Sequence, residues 1–219
     1  MKFLQINKEK NLIFLIFSFF FSLIFIHTIY IFFITPSALE LINLAKVENL
    51  PPPRNLSVLL KDLEQEICLI IFLWAFLISL LAYMKTSEEL MLLDSNESTQ
   101  NILNNLLSSN LKNPDQDIKS LIENKSDLQI IDMSLVKYMS WAIPSIGFIG
   151  TVRGIGMALE KSGEAISGDI SGMTESLGLA FNSTFIALFL SIFIMLIINL
   201  IEQQQDHVII KMRSNFQEN

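Results

Sequence analysis

Residues 177–201 read LGLAFNSTFIALFLSIFIMLIINLI, with no charged side chain. As an α-helix at 1.5 Å per residue this run is about 37 Å long, enough to cross a hydrocarbon core of about 30 Å. Backbone N–H and C=O groups find no water in that core, so such a run satisfies them internally as a helix. Three further runs follow the same logic. Leu12 to Ile34 is uncharged and rich in Phe; Ile67 to Met84 lies between Glu66 and Lys85; Met139 to Leu159 is less apolar and rich in Gly. The expected fold is therefore all-α, a polytopic membrane protein with four transmembrane helices and helical extensions on the cytoplasmic side. The first run is longer than the apolar region of a secretory signal, about 7–15 residues, and is read as a retained span.

Composition agrees. Hydrophobic residues make up 51% of the 219 residues and charged ones only 17%, where about 25% is usual for a soluble domain. The net charge of -7 supplies no electrostatic footprint for nucleic acid. Cys68 is the single cysteine, which excludes an intrachain disulfide, and it lies in an apolar run as a small hydrophobe. His27 and His207 are the only histidines and are far apart, so neither a metal site nor a cofactor site is expected. No cluster of acid, base and nucleophile marks an enzyme.

The expected organisation is an N-terminal hairpin over 1–84 with spans at 12–34 and 67–84, a cytoplasmic helical segment over 85–138, a helix pair over 139–205 with spans at 139–159 and 177–201, and a tail over 206–219. Four spans place both termini on one side. With the termini inside, the inner segments hold Lys2, Lys8, Lys10, Lys85, Lys112, Lys119, Lys125, Lys137, Lys211 and Arg213. The outer ones hold Lys46, Arg54, Lys61 and Lys161. This excess of inner positive charge predicts cytoplasmic termini in a bacterial inner membrane. Pro51-Pro52-Pro53 predicts a stiff break in the outer segment from Thr35 to Gln65. In the inner segment, Leu90, Leu93, Ile102, Leu106 and Leu107 precede an Asn113-Pro114 break, and Ile118, Leu121 and Ile122 follow it, which predicts two short amphipathic helices. Residues from Glu202 onward read as the fourth helix continuing past the membrane.

The third run is the most informative. Pro144, Gly147, Thr151, Gly154 and Ala158 recur at three and four residues and share one helix face, with Gly150 beside it. In the fourth, Ala180, Thr184, Ala187 and Ser191 repeat likewise, with Asn182 and Ser183 adding polarity. Small residues let helix backbones approach closely in lipid, so these stripes suit a helix–helix contact. Two weakly polar stripes also suit the wall of a narrow pore, where hydroxyls hydrogen-bond water or a partner's side chain.

Pro144 and Gly147-Phe148-Ile149-Gly150-Thr151-Val152-x-Gly154, followed by Ala180-Phe181-Asn182-Ser183-Thr184 and Ala187-Leu188, resemble the MotA/TolQ/ExbB proton-channel family. The resemblance covers roughly residues 139–205. It implies a homo-oligomeric ring, typically a pentamer, around an ExbD/TolR/MotB-like single-span membrane protein whose Asp carries the proton. It further implies that Thr151 and Thr184, with Ser183 and Asn182 beside them, supply the proton path. Pro144, Gly147, Gly150, Gly154, Ala180 and Ala187 would pack the two helices. The chain departs from the family pattern at Leu179, where the three-span branch often has Glu, at Phe193 in place of a common Pro, and at Arg153. No Asp or Glu stands in the middle of any expected span, so the titrating group would come from the partner.

Arg153 has two readings. It either snorkels outward and pairs with Glu160, Glu164, Asp169 or Glu175, or it forms with Glu175 a charged gate at the pore mouth. His27 is read as packed or interfacial, with a proton relay as the alternative. The implied function is the ring subunit of a two-component proton-driven motor. The alternative is a structural membrane scaffold that uses the small-residue faces only for assembly.

Overall fold

The computed structural model describes residues 2–48, 53, 55–94 and 114–217. Among these residues there is no strand. Helix α1 spans Lys2–Ile29 and passes through a π-helical turn, Tyr30–Ile34, into α2, Thr35–Val47. A short α3, Leu56–Leu60, precedes α4, Leu63–Asp94. Then come α5, Pro114–Glu160, a short α6, Ser162–Ile166, and α7, Ser171–Gln217. Four apolar stretches are long enough to cross a bilayer: Leu12–Val47, Leu63–Met91, Ile122–Glu160 and Ser171–Ser214. The protein is an all-α, multi-pass membrane protein.

The first helical run is longer than the sequence suggested. The apolar run was read as ending at Ile34, and the chain stays helical beyond it to Val47, through Pro36. The reason is local. Proline lacks an N–H and crowds the carbonyl four residues back, but at the start of a new helical segment neither matters. The π-turn widens the backbone just before Pro36, with the Thr35 N–H donating to the Tyr30 carbonyl. Beyond it, Ala38, Ile42 and Ala45 are buried on one face of α2. Likewise α4 begins at Leu63, so Glu64 and Gln65, placed by the sequence in a solvated outer segment, are buried in its first turn. The expected break at Pro51-Pro52, the amphipathic positions Ile102, Leu106 and Leu107, and Asn113 of the expected second break lie outside the described residues. Leu93 and Ile122 are buried, on α4 and on an α5 that runs unbroken from Pro114 into the third span.

The chain packs as two compact units, 1–75 with 139–194 and 76–138 with 195–219. In the first, Tyr30, Ala38, Cys68, Ala75, Ile143, Ala180, Ala187 and Ile194 form the buried centre. The Trp74 indole N–H donates to the Leu15 carbonyl at 3.2 Å, and the Phe19 ring meets Trp74 edge-on at 4.8 Å, tying α1 to α4. Outward faces are apolar, with Phe17, Phe20, Phe21, Phe25, Phe185 and Phe189 exposed, as suits contact with lipid. Several hydroxyls on the spans bond to their own helix: Ser22 donates to the Ser18 carbonyl at 2.8 Å and Thr28 to Ile24 at 2.6 Å.

In the second unit, Ile122, Met133, Val136, Ile198, Ile201 and Val208 are buried. Ion pairs flank them: Lys125 with Glu89 at 2.5 Å, and Lys137 with Glu202. These side chains are partly exposed, so each pair contributes about 1 kcal/mol or less.

Candidate functional site

The site is a contact between α5 and α7 built from missing side chains. A Cβ added to Gly154 would stand 2.7–2.8 Å from the Ala180 Cβ, Cα and N. One added to Gly150 would meet Ser183 Cβ and Oγ at 2.6 Å, and one on Gly147 would run into Ala187 Cβ. The backbones are therefore as close as glycine allows, at three successive positions of one helix face. Pro144 sits half-buried one turn before Gly147, inside a helix that continues through it.

This approach brings Thr151 and Thr184 together. Their hydroxyls are hydrogen-bonded to each other. The Thr151 hydroxyl is also 3.1 Å from the Ala180 carbonyl and 3.3 Å from the Gly147 carbonyl, and the Thr184 hydroxyl is 3.2 Å from the same Gly147 oxygen. Two hydroxyls thus share carbonyls of both helices. Each hydroxyl has one proton to give and lone pairs to accept with, so the cluster has alternative donor arrangements. Ser183 is buried beside it and donates to the Leu179 carbonyl at 2.9 Å. Asn182 stays half-exposed, and no hydrogen bond among the described residues joins it to the cluster.

Arg153 requires a correction. Its guanidinium pairs with Glu64, Nη2 to Oε2 at 2.7 Å, and not with Glu160, Asp169 or Glu175, while the Glu164 side chain lies outside what the structure describes. Glu160 lies about 10 Å further along α5 and is exposed. Asp169 is engaged with Ser171, and Glu175 is exposed on α7. The first turn of α4 lies alongside Gly150, with Glu64 Cγ 3.1 Å from the position of a Gly150 Cβ. Glu64 is therefore the carboxylate within reach. Glu64 stands in the first turn of α4, at the end of the second span and not in its middle.

A second charged pair adjoins, Lys61 Nζ to Asp62 Oδ1 at 3.3 Å. Burial pushes the Asp62 carboxyl above the usual range, against the lowering effect of Lys61 and Arg153. His27 also has a partner that the sequence did not suggest, its Nδ1 lying 2.6 Å from Glu66 Oε1. The sequence held one signal for this cluster: Asp62, Glu64 and Glu66 at the entry of an apolar run, in a chain with an intramembrane Arg to neutralise. No group of metal-ligating side chains occurs among the described residues.

Fold and site together define a multi-pass helical membrane protein with a hydroxyl-bearing, glycine-packed helix pair. The family model of the MotA/TolQ/ExbB proton channel family matches residues 88–214, more than half of the chain. The protein belongs to that family, which is one of proton channels and not of enzymes. Among curated proteins and among solved structures, nothing matches the chain. The matched region contains Thr151, Thr184 and the three glycines; Glu64 and the first span lie before it.

Proposed function

We propose that this protein is the ring-forming channel subunit of a proton-driven motor in a bacterial inner membrane, with both termini cytoplasmic. It would assemble as a homo-oligomer, a pentamer by family resemblance. The ring surrounds an ExbD/TolR/MotB-like single-span membrane protein whose Asp binds the proton. Family membership supports proton conduction, and the observation that carries the site is the Thr151–Thr184 hydroxyl pair bridging α5 and α7. Hydroxyls do not titrate near neutral pH, so they orient and relay while the partner carboxylate holds the proton. A neutralised carboxyl passes an apolar wall that a charged one cannot. Release on the inner side restores the charge and favours the next subunit. Each charge moved down the gradient releases about 2.3 kcal/mol per 100 mV, several times thermal energy.

The other reading is a scaffold. It is favoured by the fact that both hydroxyls are already engaged with helix carbonyls, as packing alone would use them. Thr184→Val separates the two. It removes hydrogen bonds worth about 1 kcal/mol but keeps the shape of the side chain. With the partner co-expressed, native mass spectrometry should give five copies around two, and the variant should assemble equally. Proton flux into liposomes, per assembled complex, should fall at least tenfold. A variant that assembles and conducts like the parent would move the assignment to the scaffold.

A further inference from the structure

We propose that Glu64 neutralises Arg153 so that the path beside Thr151 and Thr184 stays passable for a positive charge, which makes Glu64 a specificity-setting residue supplied by α4. The inference rests on the channel reading above. Three observations carry it. Glu64 Oε2 and Arg153 Nη2 are 2.7 Å apart, with the Glu64 side chain 9% exposed and that of Arg153 43%. Glu64 Cγ and the Ser183 hydroxyl both lie within 3.1 Å of the point where a Gly150 Cβ would stand, so the carboxylate side chain reaches the α5–α7 contact itself. Thr151, next to Gly150 in sequence, carries the hydroxyl bonded to Thr184, next to Ser183.

A guanidinium stays protonated at any physiological pH, so Arg153 is a permanent positive charge two residues from Thr151. Alone there, it would exclude protons and other cations, as arginines do in selective pores. Paired with a buried carboxylate, it presents a dipole whose field decays quickly. Lys61 and Asp62, 3.3 Å apart, form a second pair of opposite charges at the same entry of α4, and His27 and Glu66 meet there at 2.6 Å. Burial explains why Glu64 and not a surface acid serves: less water screens its charge than would screen a fully exposed carboxylate, although Arg153 itself is partly exposed. The Arg also tethers α4 to α5, and a tether alone makes a different prediction, tested below.

The test uses the full chain with its single-span partner in liposomes, with flux followed by a pH-sensitive dye and normalised to assembled complex. Glu64→Gln leaves Arg153 uncompensated, and flux should fall by about tenfold or more. Arg153→Gln should conduct within threefold of the parent. The double variant Glu64→Gln with Arg153→Gln should recover to the same level although the tether is gone. The charge swap, Glu64→Arg with Arg153→Glu, keeps compensation and should also conduct; it decides the matter if Glu64→Gln does not assemble. A conducting Glu64→Gln, a double variant as poor as the single one, or an assembled swap that fails to conduct would each overturn the proposal. A parent complex that passes no protons would instead overturn the channel reading, and the two failures are thus separable.

Discussion

At the scale of single residues, the contact between α5 and α7 depends on what glycine leaves out. Gly154 and Gly156 are two residues apart in one helix, yet their surroundings are opposite. A methyl at Gly154 would collide with Ala180 backbone atoms, which cannot swing aside, whereas nothing lies within 4 Å of one at Gly156. Gly154→Ala should therefore destabilise the protein by about 1–3 kcal/mol, the usual cost of overpacking. Gly156→Ala should be neutral or stabilising by up to about 1 kcal/mol, because alanine favours the helix. Thermal unfolding in detergent, followed by helical circular dichroism, measures both; equal effects would sink the close-packed contact. The small-residue stripe was legible in the sequence because helix periodicity places Gly147, Thr151 and Gly154 on one face. Which side chain each glycine meets was not, since that depends on the register of α7 against α5.

At the scale of elements, helix ends were the least legible feature. The π-turn before Pro36 lets the first helical run continue past Ile34, where the apolar run ends. The turn before α7 is set by side-chain chemistry. Gly168 has a φ of 105°, a conformation that glycine tolerates and other residues resist. Asp169 Oδ1 then accepts hydrogen bonds from the Ser171 hydroxyl and, at 3.0 Å, from its backbone N–H. These bonds hold the exposed Asp169 carboxyl below its ordinary range. A carboxylate with a lowered folded value stabilises above its unfolded value and loses that contribution as pH falls through the folded one. Protection of the Ser171 amide from hydrogen exchange, corrected for the intrinsic rate, should stay constant from neutral pH down and drop only in acid. Asp169→Ala should lack protection at neutral pH and show no acid step. An acid step that survives in the variant would show that another group sets it.

At the scale of the whole molecule, an even number of spans puts the termini on one side, and the Lys and Arg balance sets which side. Alkaline phosphatase, active only outside the inner membrane, should be inactive when fused after Asn219. It should be active when inserted after Pro53, between the first and second spans. The reverse pattern would invert the proposed orientation, and activity at both sites would contradict four spans. The family match begins at residue 88, so the first span and most of α4, residues 63–87, lie before the matched region. They are fastened by the Trp74–Leu15 hydrogen bond and the His27–Glu66 contact. The second of these joins a half-exposed histidine on the first span to the same acidic entry of α4 that holds Arg153.

The sequence by itself determined that this protein is helical and crosses a membrane four times. Long uncharged runs leave the backbone no hydrogen-bonding partner in lipid except itself, and that constraint acts on each run separately. It also determined the small-residue face of α5 and the resemblance to the proton channels, since both are written at fixed spacing within single helices. Only the tertiary structure decided that Arg153 is matched by Glu64, 89 residues away, and that Thr151 meets Thr184. A charge pairs with whichever opposite charge the packing brings within reach, and that depends on which helices adjoin and in what register, which no local spacing encodes.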